Sequence, residues 1–215
     1  EDRELLAALA LAPGARSEVG ELHVYDVETG RELGDTIERV SNPTGGGSLA
    51  WAADNAGVYY TRYPRAGERP AEDMAFFQQV YFHALGTDPA TDRYELGRES
   101  PRIAETELST SEDGRWILAA VANGDGGEFA HYLRGPTGAW RQLTRFEDAV
   151  TAVEFGPDAL FLTSHRGAPR GAVLRLPLTA ASLAEATVVV PQSDAVIEQV
   201  VPTRTCEGPP TRSTT

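Results

Sequence analysis

Short apolar runs separated by turn-forming residues dominate the hydrophobic pattern of this chain. In ELHVYDVETGREL, Leu22, Val24 and Val27 alternate with polar residues before a turn at residues 28–30. Alternation with a period of two that ends in a tight, glycine-containing turn is typical of a β-hairpin. The stretch therefore predicts a strand, a turn and a second strand.

The hairpin pattern returns along the chain. Further strand pairs are predicted in WAADNAGVYYTRYP, QQVYFHALGTDPATDRYELG, TELSTSEDGRWILAAVANG, FAHYLRGPTGAWRQLT and TAVEFGPDALFLTSHRGAPRGAVLRLPL. Three turn aspartates, Asp54, Asp113 and Asp158, mark units of roughly 45 to 60 residues, which is close to the length of a four-stranded propeller blade.

These units predict an all-β fold. A small sheet has two apolar faces that it cannot bury alone, so neighbouring sheets must stack. We therefore predict a partial β-propeller of about three to four four-stranded blades over residues 21–200, with residues 1–20 as a lead-in or the edge of a blade. A β-sandwich is the alternative, which the pattern favours less because its turns need not return in the same order.

Two stretches break the strand pattern. YPRAGERPAEDMAFFQQ, residues 63–79, is a long charged insertion where a blade needs only a short connection, and such loops are often functional. VPTRTCEGPPTRSTT, residues 201–215, abandons the alternation and predicts a disordered tail or the product of a shifted reading frame. The chain also begins at Glu1 instead of Met, which indicates a fragment or a processed product whose targeting region is not included.

The charge of the chain narrows its partners. The formal net charge is -13, and all 19 basic residues are arginine. Nucleic acids and anionic membranes require a positive surface, so neither is predicted as a partner. No apolar run has the length of a membrane span, so we expect a soluble protein, either cytoplasmic or periplasmic. The single cysteine, Cys206, excludes an internal disulfide.

Motifs for catalysis or metal binding are missing from the sequence. Ser48 in TGGGSLAW comes nearest to a Gly-x-Ser-x-Gly nucleophile, but it lacks the second glycine, and a loop that shapes the entry to a blade is the better interpretation. The four histidines lack any paired metal-ligand spacing, and those in strands are expected to be structural. NGDGGE, which contains Asp125 and Glu128, is expected to be an exposed turn rather than a calcium loop. We therefore predict no catalytic residue, metal or cofactor.

The order of these segments resembles the β-propeller of the prolyl oligopeptidase family, serine peptidases that cleave short peptides after proline. The resemblance covers residues 22–200, and its strongest segments are YTRYP and VYFHALGT. It implies a seven-bladed propeller that caps an α/β-hydrolase domain carrying the Ser-Asp-His triad. This chain resembles only the middle of the propeller, so it is expected to be inactive alone.

The resemblance also implies a role and partners. The propeller is expected to gate the access of short proline-containing peptides to the hydrolase domain of the same full-length protein. By position, residues 63–79 resemble the family's mobile loop at the domain interface, and residues 41–47, SNPTGGG, resemble a loop that faces substrate. The candidate contact residues in these two segments are Asn42, Thr44, Arg65, Glu68, Arg69, Glu72 and Asp73.

Two other functions remain open on the sequence. One is a stand-alone propeller-like module that binds a peptide or a protein. The other is the propeller of an oligopeptidase B-like enzyme, which cleaves after basic residues. The pocket residues that would distinguish the oligopeptidase B-like enzyme lie outside this chain. A hydrolase domain encoded downstream would favour the peptidase over the stand-alone module.

Overall fold

The computed structural model describes residues 4–11, 19–43 and 45–203, which form strands, turns and short 3-10 segments without an α-helix. The fifteen strands of this part of the chain form four antiparallel sheets. Sheet I contains β1 (Leu5–Leu11), β2 (Gly20–Asp26) and β3 (Glu32–Ser41). Sheet II contains β4 (Leu49–Trp51), β5 (Gly57–Arg62), β6 (Gln79–Ala84) and β7 (Arg93–Leu96). Sheet III contains β8 (Glu105–Thr110), β9 (Ile117–Ala122), β10 (Phe129–Arg134) and β11 (Trp140–Thr144). Sheet IV contains β12 (Val150–Phe155), β13 (Ala159–Ser164), β14 (Ala172–Pro177) and β15 (Thr187–Val190).

Each sheet is a meander in which strands pair in the order of the chain. This is the arrangement of a propeller blade. The prediction of an all-β chain with three to four blades is therefore confirmed, with three four-stranded sheets and one three-stranded sheet among the described residues. One detail differs: Val27, expected within the first strand, lies in the turn and is 46% exposed. The strand ends at Asp26, whose carboxylate accepts hydrogen bonds from the backbone and hydroxyl of Thr29.

The chain divides into two compact units, residues 1–147 and 148–215. In the first unit, two apolar clusters lie on the two sides of sheet II. Residues of sheets I and II form one cluster, made of Leu22, Val24, Ile37, Val40, Val58 and Tyr60. Residues of sheets II and III form the other, made of Ala50, Tyr59, Val80, Leu108, Ile117 and Ala119. Strand β5 supplies side chains to both clusters, and all six of its residues are buried.

The second unit contains sheet IV. Its central strands β13 and β14 carry the apolar core, including Leu160, Leu162 and Leu176, which are fully buried. The predicted turn at residues 156–158 joins β12 to β13, and Gly156 N donates to Ala159 O across it. Its last strand, β15, is exposed along its whole length.

A chain of polar side chains connects sheet I to sheet II through the buried His83. The two ring nitrogens of His83 lie 2.7 Å from Asp92 Oδ1 and 3.1 Å from Asp35 Oδ1, and the Tyr60 hydroxyl donates to Asp92 Oδ2 at 2.6 Å. Ionised carboxylates only accept hydrogen bonds, so both ring nitrogens donate and His83 carries a positive charge. Burial lowers the pKa of His83, but the hydrogen bonds to Asp92 and Asp35 outweigh it and raise the pKa above its ordinary 6.5.

His131 in sheet III shows the opposite behaviour. It is also fully buried, but its Nδ1 lies 2.7 Å from the neutral Thr144 hydroxyl, and burial lowers its pKa to about 4. The expectation that strand histidines are structural agrees with the contacts of His83 and His131 within the described residues. The pKa of His83 is therefore raised, and that of His131 lowered, from the same ordinary value of 6.5.

We expect His83→Gln to lower the free energy of unfolding by about 3 kcal/mol near pH 6, because two buried carboxylates lose their cation. The folded pKa lies above the unfolded value of 6.5. The stabilisation is therefore complete below that value and is lost as the pH rises through the folded pKa. Urea unfolding of both proteins across this range measures the difference.

His131→Gln is the matched control. Because the unfolded chain binds a proton at His131 more readily than the folded chain, its contribution falls as the pH drops from 6.5 towards about 4. Equal pH dependence of the two variants would contradict the charged state assigned to His83.

Candidate functional site

Long connections of sheets I to III meet at one end of the strands, which we call the loop end. At this end β5 ends and β6 begins, and likewise β9 ends and β10 begins. The segments that meet there are residues 41–48, 63–79, 97–105 and 123–128. The sequence had singled out the first two of these segments, and the fold places them side by side.

Arg102 fixes the centre of the insertion. Its Nε donates to Asp73 Oδ1 at 2.7 Å, and its guanidinium also donates to the Glu72 carbonyl at 2.8 Å. The same guanidinium lies 3.6 Å from the ring centroid of Phe76, and the Arg102 carbonyl accepts from Phe77 N. One residue of the β7–β8 connection therefore contacts four residues of the insertion.

Arg62, at the end of β5, holds the start of the insertion. It is buried and makes a bidentate ion pair with Glu68, with Nη1 3.0 Å from Oε2. Glu68 Oε2 also accepts from the Arg65 backbone at 2.7 Å. Burial raises the pKa of Glu68, but these hydrogen bonds outweigh it and hold the pKa below its usual value. On the sheet I side, Arg39 donates to the Met74 carbonyl.

The predicted contact residues therefore differ in their availability. Glu68 and Asp73 are paired within the chain, and Arg69 stacks on Phe77 with 3.6 Å between the guanidinium and the ring centroid. Arg65 donates to the Pro89 carbonyl. The Glu72 side chain is exposed and has no ion pair with the described residues. Of the three carboxylates in this insertion, that of Glu72 is therefore the one without an ion pair among the described residues.

The glycine-rich segment contacts the insertion through Gly45. A Cβ at this position would lie 2.6 Å from both Glu105 Oε1 and the Tyr63 hydroxyl. Asn42 is buried and bridges to Gly46, which closes the turn; Thr44 lies outside the described residues. Gly45 therefore has a packing reason, which is the close approach of the turn to two polar side chains, whereas Gly46 adopts a positive φ of 61° and Gly47 packs against the Val40 backbone.

Three further loop-end residues were not among the predicted contact residues: Glu105, and, inside the insertion itself, Tyr63 and Gln78. Burial and the charge of Asp125 raise the pKa of Glu105, while burial and Glu105 raise the pKa of Tyr63 to about 12. Buried Gln78 donates to the Tyr63 hydroxyl and accepts from Thr106 N at 2.6 Å. No sequence signal indicates that these three side chains meet, because Glu105 begins β8, which belongs to another sheet.

Three clefts lie between the segments of the loop end. One of about 330 Å³ runs between Gly45–Gly47 and Glu105, and one of about 240 Å³ lies between Phe76 and Asp125. A third, of about 180 Å³, lies against Arg62. The linings combine backbone groups, carboxylates and aromatic rings.

The structure shows what Ser48 and the glycine-rich turn at residues 123–128 do. Ser48 Oγ accepts from Leu108 N at 2.8 Å, so Ser48 connects the start of sheet II to sheet III. Among the described residues, its hydroxyl has hydrogen bonds only with the Leu108 backbone and none with a histidine or a carboxylate. In the turn, Asn123 donates to Glu128 Oε2 at 3.0 Å. Within the described ranges, no three His, Cys, Asp or Glu side chains are grouped to hold a metal. None of the described helices is long and apolar enough to cross a bilayer.

Successive four-stranded meanders whose faces pack against their neighbours define a β-propeller. The family model for the prolyl oligopeptidase N-terminal β-propeller domain matches residues 2–205, so the chain belongs to this family.

Known proteins share this domain with the chain. The prolyl endopeptidase of Elizabethkingia miricola is 26% identical over 167 residues, which are 76% of this chain and 23% of the relative. A structure from work on inter-domain dynamics in two prolyl endopeptidases has a TM-score of 0.68 at 21% identity and covers 88% of this chain. Apo prolyl oligopeptidase B from Galerina marginata has a TM-score of 0.64 at 16% identity. The chain spans 29% and 28% of these two structures, so the shared part is a minority of each.

We expect Arg102→Gln to loosen the insertion. Loss of a partly exposed ion pair and its ring contact costs roughly 1 kcal/mol, which corresponds to about a fivefold larger open population. Initial rates of trypsin cleavage after Arg65, followed by mass spectrometry, measure this population.

The matched control is Arg175→Gln, which removes an ion pair with Asp158 in sheet IV. It should leave cleavage in the insertion unchanged. Equal cleavage in Arg102→Gln and the unchanged protein would show that Arg102 does not hold the insertion.

Proposed function

We propose that this propeller section controls the access of short proline-containing peptides to the hydrolase domain of a prolyl oligopeptidase-type serine peptidase. The observation that carries the proposal is the loop end, where an insertion held by arginines borders glycine-walled clefts in a chain of this family. The hydrolase domain of the same full-length protein is the proposed partner.

The proposed contribution of the loop end is positioning. The described residues here provide hydrogen-bond donors, carboxylates and aromatic rings but no nucleophile with an adjacent base. Groups that orient a substrate and close over it contribute to catalysis without taking part in bond breaking. In this proposal, the chemistry belongs to the hydrolase domain, and the chain alone is inactive.

The charges of the insertion suggest how it meets the hydrolase domain. Its unpaired carboxylate, on Glu72, follows Pro70 and lies next to Asp73, which Arg102 holds in place. An exposed carboxylate on a fixed segment loses little conformational freedom when it binds a cation. We therefore propose Glu72 as the interdomain contact, with Glu68 and Asp73 as residues that position the insertion.

The proposal predicts different effects for long and short substrates. In the full-length polypeptide, Glu72→Ala and Asp73→Ala should change kcat/KM for a long proline-containing peptide by about threefold to tenfold, because entry depends on the insertion. A short chromogenic prolyl substrate should change by less than about twofold. Steady-state kinetics with both substrates at two ionic strengths measure these values.

Asp158→Ala is the control, because it also removes an arginine-paired carboxylate but lies in sheet IV. Equal changes for both substrates would argue against gating. No cleavage after proline by the unaltered polypeptide would reject the peptidase assignment, and cleavage after basic residues would favour the oligopeptidase B-like alternative.

A further inference from the structure

Strand β1 has a free edge that none of the described segments pairs with. It is hydrogen-bonded to β2 on one side, and the order β1-β2-β3 leaves its other side without a neighbour. No residue of β1 is buried, and the side chains of Leu6 and Leu11 are 55% and 59% exposed. Such an edge presents backbone N–H and C=O groups with which another strand can pair.

The strand order indicates that this edge is suited to a further strand. In sheets II, III and IV, the second strands β5, β9 and β13 have neighbours on both sides, and none of their residues is exposed. Strand β3 leads into residues 41–48 as β7, the last strand of sheet II, leads into residues 97–105. Counted back from β3, β1 has the rank of a second strand. Its sequence, LLAALAL, is as apolar as the ILAAVA of β9.

The other edge strands of the described sheets differ from β1 in length or in charge. Strands β4 and β15 have only three and four residues. Strands β3, β7, β8, β11 and β12 each contain at least one charged residue. Strand β1 has seven residues and no charge. Because short length and charge are what discourage an edge from pairing with another chain, β1 is the described edge that favours such pairing.

The sequence of β1 is complementary to a second copy of itself. Residues opposite each other in an antiparallel pair have their side chains on the same face of the sheet, where they contact. In a pair centred on Ala8, the opposed residues are Ala8–Ala8, Ala7–Leu9, Leu6–Ala10 and Leu5–Leu11. Leucine faces alanine on both sides of the centre, so large and small side chains alternate across the pair. No charged side chain enters it.

We propose that the edge of β1 binds a second copy of this chain, with the two β1 strands antiparallel and a two-fold axis at Ala8. Sheet I of one copy and sheet I of the other then form one six-stranded sheet, in which Leu6, Leu9 and Leu11 gain neighbours. The pairing uses the free edge of both β1 strands, so the assembly closes at two copies. It does not involve the loop end or cleavage after proline. Failure of the access proposal therefore leaves this one intact, and the reverse also holds.

Cysteine cross-linking of the full 215-residue chain tests this alignment, with Cys206→Ser as the background. Ala8→Cys places two thiols opposite each other, with Cα atoms about 4.5–5.5 Å apart, which a disulfide can span. Ala10→Cys is the matched control, because its two copies are four positions apart along the strands, about 13–14 Å. We expect a covalent dimer from Ala8→Cys after mild oxidation and none from Ala10→Cys.

Sedimentation velocity measures the assembly without a cross-link. Over a wide range of concentration, the unchanged chain should show a reversible equilibrium between monomer and dimer. Ala8→Lys places two ammonium groups opposite each other at the axis and should weaken dimerisation at least about tenfold, since like charges directly opposite destabilise a strand pair. Ala181→Lys adds the same charge at an exposed position between β14 and β15 and should leave the equilibrium unchanged.

Each result either supports the proposal or overturns it. A cross-link specific to Ala8→Cys, with a dimer that Ala8→Lys weakens, supports it. A chain that stays monomeric at every concentration overturns it, and the neighbour of β1 is then a strand from another polypeptide segment. Equal cross-linking of the two cysteine variants, a dimer that Ala8→Lys leaves unchanged, or growth beyond two copies also overturns it.

Discussion

Burial of both faces of sheet II is the constraint on which the first unit depends. Strand β5 carries Val58 and Tyr60 into the cluster shared with sheet I, and Tyr59 into the cluster shared with sheet III. Burial of each such side chain stabilises the fold by about 1.5–3 kcal/mol, and this stabilisation requires a neighbouring sheet that covers the side chain. A meander of this size is therefore stable as one member of a stack, and the polar sites form where stacked sheets meet.

Polar contacts between neighbouring sheets select one alignment of the sheets. Apolar faces tolerate sliding, whereas a buried hydrogen bond fails when its partners shift. His83 links to Asp35 of sheet I, and Ser48 and Gln78 link sheet II to backbone groups of sheet III. A buried polar group without its partner is costly, so these links penalise every alignment except the observed one.

The same stacking gives the two ends of the strands different characters. At the loop end, Arg62 and Arg102 are paired with carboxylates of the insertion, and the charges are largely balanced. At the opposite end, short turns border a cleft in which Arg115 pairs with Asp113, and Arg93 and Arg134 share Glu95. The loop end is therefore organised to hold a long segment of its own chain, whereas the opposite end carries only short turns.

The strands themselves could be predicted from the sequence, because a period of two and Gly-, Asp- and Pro-containing turns are local properties of the chain. The collinear order of segments such as YTRYP and VYFHALGT also led to the family, and the importance of residues 41–47 and 63–79 followed from it. The pairing of Arg102 with Asp73 and the approach of Gly45 to Glu105 could not be predicted. They join connections and strand ends that are far apart in the chain, and the distances between them are decided only when the apolar faces of the sheets pack. Sequence alone determined that this chain forms small sheets. Tertiary structure decided which side chains meet between the sheets, because hydrogen bonding and burial between neighbouring sheets leave no local pattern in the sequence.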